Sequence, residues 1–258
     1  MGGNAGTDRF RVAAGAIGVI EAALEHRRTP GYAEGADDAE LRDAVRDVLR
    51  EVLSADVILI DGRSGSGKTS FAAGLADALR GAGRSPQTLH VEDLYPGWDG
   101  LSEGSRLVSN ALANGSYRRY DWVAEEFGGV AVPILRCEPL IIEGCGALTR
   151  ENIAAARDWV LRLAEARPRD PASLGASEHP GSPDRCDPSA STERRESKSD
   201  PEIRGIWIEC PAELRRERAL RRDGDTYAPH WERWASQEVA HNAEHTPWAL
   251  ADRVLRTI

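Results

Sequence analysis

The residues of this chain best suited to chemistry stand together at Gly62-Arg-Ser-Gly65-Ser66-Gly67-Lys68-Thr69, which spells G-x-x-x-x-G-K-T. The glycines let the backbone curl until successive N–H groups face phosphate oxygens, and a helix starting near Lys68 adds its positive end. In such a P-loop, Gly62, Ser64, Gly65, Ser66, Gly67, Lys68, Thr69 and Ser70 cradle the phosphates of a nucleotide. Lys68 reaches the β- and γ-phosphates, and the Thr69 hydroxyl faces Mg²⁺. Lysine usage supports the assignment: of 33 basic residues only Lys68 and Lys198 are lysine. A chain that otherwise uses arginine keeps, at position 68, a flexible point charge that suits a phosphate pocket better than a planar fork.

Three further groups could join that site. His90-Val-Glu92-Asp93-Leu-Tyr95 puts two carboxylates at the carboxyl end of an expected strand, the edge where open parallel sheets bind ligands. Either could accept the proton of an attacking hydroxyl. If the strand runs on through Val91 with period two, His90 and Glu92 share one side and Asp93 points to the other, and the base stays open between Glu92 and Asp93. Glu143, closing Ile141-Ile142-Glu143, can hold Mg²⁺ directly or through water beside Thr69; capping the next turn is its plainer role. The segment from Leu214 to Gly224 concentrates five arginines. A solvated helix face is the ordinary explanation, but Arg218, Arg221 and Arg222 could also close over a transferring phosphoryl group and stabilise its charge.

The elements that must position these groups follow from periodicity. Apolar, β-branched runs predict strands at 57–60, 87–91, 139–143, 203–209 and 253–258. Helical spacing predicts helices at 11–28, 39–53, 70–80, 103–113, 150–166, 211–222 and 229–243, the second capped by Asp37 or Asp38 with Leu41, Val45, Val48 and Val52 on one stripe. Strands alternating with helices imply an α/β fold, a parallel sheet covered on both faces. Residues 168–200 interrupt it with five prolines, seven serines and Leu174 as the one large aliphatic, so a disordered surface insertion is expected. The expected division is an N-terminal helical extension at 1–53 and a P-loop domain at 54–258, carrying the insertion and an Arg-rich lid near 211–235.

Composition narrows the partners. A net charge of −9 offers no basic field for a phosphate backbone, which argues against nucleic acid and favours a small molecule. No run of 18 apolar residues occurs, and Met1-Gly-Gly-Asn-Ala-Gly lacks a signal layout, so a cytoplasmic protein with no membrane partner is expected. Cys137, Cys145, Cys186 and Cys210 show no C-x-x-C spacing and read as buried free thiols. His241-Asn-Ala-Glu244-His245 has the H-x-x-E-H order of some metalloproteases, but the chain ends 13 residues later without an acidic helix, so a surface histidine pair is expected.

Taken in chain order, the P-loop, Glu92-Asp93-Leu94-Tyr95, Tyr120-Asp121-Trp122, Ile142-Glu143-Gly144 and the Arg-rich run through Arg222-Asp223 resemble the uridine kinase family of P-loop nucleoside kinases. The resemblance covers about residues 55–258 without the insertion. It implies a three-layer αβα fold with five parallel strands in the order 2-3-1-4-5, a lid helix supplying arginines, and ATP and Mg²⁺ as cofactors. It also implies a catalytic acid at Glu92, a tyrosine against the nucleobase at Tyr120 and a ribose-binding carboxylate at Asp99. The activity it implies is phosphoryl transfer to a hydroxyl of a nucleoside-like small molecule. The other reading is a nucleotide-binding switch with no small-molecule acceptor.

Overall fold

The computed structural model describes residues 36–136, 138–166 and 200–257, with side chains described from position 39 on. The expected helix at 11–28 and almost all of the 168–200 insertion lie outside them. Five strands, β1 (Val57–Gly62), β2 (Gln87–His90), β5 (Leu140–Glu143), β6 (Ile203–Glu209) and β7 (Arg253–Arg256), form one sheet in the order β2-β5-β1-β6-β7. Every pairing in it is parallel. Counting these five strands in chain order, this is the 2-3-1-4-5 arrangement, an α/β sheet with β1 and its P-loop at the centre.

Strand alternation decides which helix covers which face. Ile58, Ile60, Ile141, Ile206 and Ile208 point to one side, where they meet α1 (Ala36–Val52) through Val45, Val48, Leu49 and Val52 and α2 (Lys68–Gly81) through Phe71, Leu75 and Leu79. Val57, Leu59, Leu89, Leu140 and Ile142 point to the other, against α3 (Leu101–Asn114), α4 (Arg150–Glu165) and α6 (Trp231–His245). Each of these buried aliphatics contributes about 1.5–3 kcal/mol, so both faces hold the strand ends rigid. The helix stripe expected at 39–53 is present, but α1 already includes Asp37 and Asp38 rather than starting behind them. Thr149 caps α4 by accepting the Asn152 N–H at 3.1 Å. No described helix is long and apolar enough to cross a membrane.

Two elements depart from expectation. β2 stops at His90 instead of Val91, and Val91–Leu94 winds into a 3₁₀ turn, which replaces the period-two geometry expected for Glu92 and Asp93. An antiparallel hairpin of β3 (Ser116–Asp121) and β4 (Glu126–Pro133) stands apart from the main sheet, where no strand was predicted. The carboxylate of Asp121 closes its turn by accepting the N–H groups of Val123 and Ala124 at 2.9 and 3.0 Å. The helix expected at 211–222 runs further, as α5 (Ala212–Tyr227), with a break at Gly224 where φ is 52° and ψ −133°. Only glycine adopts that conformation readily. A short helix, α7 (Pro247–Leu250), leads into β7.

Candidate active site

The strand ends bring the chemistry together. Ile60, Glu143 and His90 are register partners on β1, β5 and β2, so their loops open onto the same edge of the sheet. From β1 the chain curls through the P-loop into α2, whose N-cap Gly67 sits in the left-handed region at φ 94°. The loop is wedged against α5. A Cβ at Gly65 would stand 2.1 Å from the Arg215 carbonyl oxygen, so only glycine allows the approach. Arg215 is buried and locks the contact, donating to Cys210 O at 3.2 Å and to Ser64 O at 3.1 Å.

Lys68 is buried, and its ammonium donates to Arg63 O at 3.0 Å with Cys145 Sγ at 3.5 Å. Burial opposes its charge, but Cys145, Glu143, Glu238 and Asp61 together outweigh that and raise its pKa. Thr69 Oγ1 lies 3.3 Å from both oxygens of Glu143, a set of hard oxygen donors that fits Mg²⁺. Glu143 is itself buried and also meets His90 Nδ1 at 2.6 Å. That hydrogen bond, against the opposing effect of burial, raises the His90 pKa.

The 3₁₀ turn separates the two acids that a strand would have set on opposite sides. Glu92 is exposed on the turn after β2, within electrostatic reach of Arg222, Glu143, Asp223 and Lys68. Desolvation by the surrounding protein raises its pKa, while the Arg222 charge opposes the rise. Asp93 instead turns to the hairpin, where Arg119 Nε comes within 3.1 Å.

Among the arginines of α5, Arg218, Arg221 and Arg222 line a cavity with the P-loop, and Arg222 grips Asp223 at 2.8 and 2.6 Å. Tyr120 packs edge-on against Trp122 and Phe127, with its hydroxyl over Gly97. Asp99 is exposed and taken up in a two-pronged ion pair with Arg233 of α6. Cys145 and Cys210 are buried free thiols, and burial pushes Cys145 up to about 12. His241, expected at the surface, is buried instead, its ring 4.3 Å from that of His245.

Sequence reasoning passed over two buried acids. Asp61 accepts the N–H groups of Gly62 at 2.6 Å, Gly146 at 3.1 Å and Leu148 at 2.8 Å, tying the start of the P-loop to the loop after β5. Burial raises its pKa to about 6 despite those bonds. Glu238 of α6 accepts the Ser64 N–H at 2.6 Å and faces Arg215 at 3.7 Å and Arg63 at 3.9 Å. The signal for Asp61 was a lone acid inside an apolar strand next to the first P-loop glycine. For Glu238 it was an acid four residues after Trp234 and three before His241, on the buried stripe of α6.

No family model matches the chain, and no curated protein matches it. Among solved structures it is similar to a possible uridine kinase from Bacillus stearothermophilus, at 17% identity and a TM-score of 0.47, over 84% of this chain and 99% of that one. It is also similar to a structure named for a fructose transport system kinase from Silicibacter sp. TM1040, at 16% identity and a TM-score of 0.43, over 83% and 98% of the two chains.

Proposed function

We propose that the protein is an ATP- and Mg²⁺-dependent kinase that transfers the γ-phosphoryl group to a hydroxyl of a small, nucleoside-like acceptor, with residues 54–258 as the kinase domain. The observation that carries this reading is the convergence, at one sheet edge, of the P-loop with its buried Lys68, the Thr69–Glu143 oxygen pair and the acid Glu92 within reach of Arg222. Lys68 and the amides of Gly65 to Ser70 hold the phosphates. Thr69 and Glu143 would hold Mg²⁺, which would supply charge neutralisation at the phosphates. Glu92 takes the proton of the acceptor hydroxyl; its raised pKa brings it nearer the range in which a base works at neutral pH. Arg218, Arg221 and Arg222 stabilise charge on the transferring group and exclude water. Tyr120, within its aromatic cluster, supplies a flat wall for the acceptor. Asp99 would have to leave Arg233 before it could bind a sugar hydroxyl.

The test is ADP formation by the full chain with Mg²⁺ and ATP, screened over nucleosides, sugars, vitamins and aminoglycoside-like compounds. One compound class should stimulate turnover, and Lys68→Ala should abolish it, since the replacement removes the charge aimed at the phosphates. Tight ATP binding with no stimulation by any class would overturn the kinase reading in favour of a nucleotide-binding switch.

A further inference from the structure

His90, the last residue of β2, has no role in holding phosphate, metal or acceptor as proposed, yet it meets Glu143 more closely than Thr69 does. The two residues are register partners on β2 and β5, and His90 Nδ1 stands 2.6 Å from Glu143 Oε1. An ionised carboxylate can only accept, so Nδ1 carries the hydrogen and donates it. The imidazolium and the neutral ring protonated at Nδ1 both make that bond, so it does not depend on the charge of the ring.

What the bond fixes follows from the other contacts of Glu143. Thr69 Oγ1 lies 3.3 Å from Oε1 and 3.3 Å from Oε2, so it does not distinguish the two oxygens. The last torsion of a glutamate side chain is broad, and turning about it exchanges them. His90 takes up Oε1 alone, which leaves Oε2 beside the Thr69 hydroxyl as the oxygen that no ring nitrogen occupies. The rest of Glu143 is already held. Its side chain is buried, and the next residue, Gly144, sits at φ 148° so near the turn after β2 that an added Cβ would stand 2.7 Å from Val91 Cβ. Only glycine allows that approach, and it leaves the carboxylate torsion as the freedom His90 removes.

We propose that His90 is a positioning residue for the metal-binding acid: its Nδ1–H holds Glu143 Oε1 so that Oε2 and Thr69 Oγ1 face the divalent cation together. The proposal rests on the reading of Thr69 and Glu143 as the residues that hold Mg²⁺. The same bond ties the strand carrying that acid to the 3₁₀ turn carrying Glu92, two residues after His90.

The experiment is calorimetric binding of the β,γ-imido analogue of ATP, which is not consumed, to the full chain with Mg²⁺ and with EDTA. The variants are His90→Ala, Glu143→Gln and His90→Asn, whose amide N–H stands about where Nδ1 does. His90 is half-buried, so the variants keep the fold, which their thermal midpoints check. His90→Ala should lose about 10-fold of the tightening that Mg²⁺ brings, the usual effect of removing the partner of a metal ligand, with the affinity in EDTA unchanged. His90→Asn should keep most of the tightening. Full tightening in His90→Ala would overturn the proposal, as would an equal loss in His90→Ala and His90→Asn, or a loss of the same size in EDTA, which would make the ring a packing group. If Glu143→Gln keeps the tightening, or the parent shows none, the reading of Glu143 as a metal-binding acid falls and this proposal with it; if Glu143→Gln loses it and His90→Ala does not, the proposal alone falls.

Discussion

Replacing Asp61 by alanine sets two large effects against each other. The carboxylate, 1% exposed, satisfies three amides, those of Gly62, Gly146 and Leu148. Each buried N–H left without an acceptor costs about 1–3 kcal/mol, so their loss destabilises by about 3–9 kcal/mol. Against this, burial moves the carboxyl from 3.8 to about 6 even with those bonds and the Lys68 charge opposing it, and at about 1.4 kcal/mol per pH unit the ionised form carries a net penalty of about 3 kcal/mol near neutral pH. The net expectation near neutral pH is a loss of about 0–6 kcal/mol. The pH dependence is sharper. Because the folded-state pKa lies above the unfolded one, the folded chain takes up the proton first, and the contribution of Asp61 to stability rises as pH falls from about 6 toward 3.8. At about pH 5 the parent gains about 1.4 kcal/mol that the alanine variant lacks, so the gap between them widens on acidification. Urea unfolding followed by circular dichroism at about pH 7.5 and about pH 5 measures it. A gap that narrows at the lower pH would mean that the three N–H bonds outweigh burial and hold the Asp61 pKa below 3.8, and the reasoning would fail.

The other predictions concern the cleft. Gly65→Ala forces a Cβ into the Arg215 carbonyl at a φ of +78°, and should destabilise by more than about 3 kcal/mol in denaturant titration; a silent substitution would mean that the loop and α5 are not in contact. Glu92→Gln should lower kcat about 10²-fold in steady-state assays with ATP affinity kept, whereas Asp93→Asn, drawn toward Arg119, should cost far less; the reverse ranking moves the base to Asp93. Glu238→Ala leaves the buried Arg215 without its acid and the Ser64 N–H without an acceptor, and should destabilise by about 3–5 kcal/mol, with Glu238→Gln restoring part of that in the same unfolding measurement.

How far the sequence could be read depends on where each signal is local. The two central strands were legible because a strand buried on both faces must be apolar nearly throughout, and Val57–Ile60 or Leu140–Ile142 has few other ways to fold. The hairpin was not. Its strands are mostly exposed, with Val130 81% accessible, so Arg118-Arg119-Tyr120 and Gly128-Gly129-Val130 carry little alternation. The same applies to the turn after His90: Val91 and Leu94 are buried three residues apart, a 3₁₀ spacing that in so short a run mimics the end of a strand. Within the site, the P-loop was legible because its motif is contiguous. Glu238 and Arg215 were not, because the pairing joins residues 23 positions apart and reaches Ser64 far upstream, a contact only the folded chain creates. Asp99 was read as a free ligand because its partner Arg233 is likewise remote.

One cluster gives the molecule an optical property. Trp98, on the loop before α3, stacks on His230 at 4.2 Å and an interplanar angle of 10°, lies 5.5 Å from Tyr227 at the end of α5, and meets Trp122 of the hairpin at 4.9 Å. Two separate segments, Tyr227–His230 and the hairpin, therefore converge on one chromophore. Withdrawal of either segment changes the surroundings of the Trp98 indole, and its emission reports that change. Phenylalanine at the other five tryptophans would leave the Trp98–Trp122 pair as an intrinsic reporter of whether these segments stay seated.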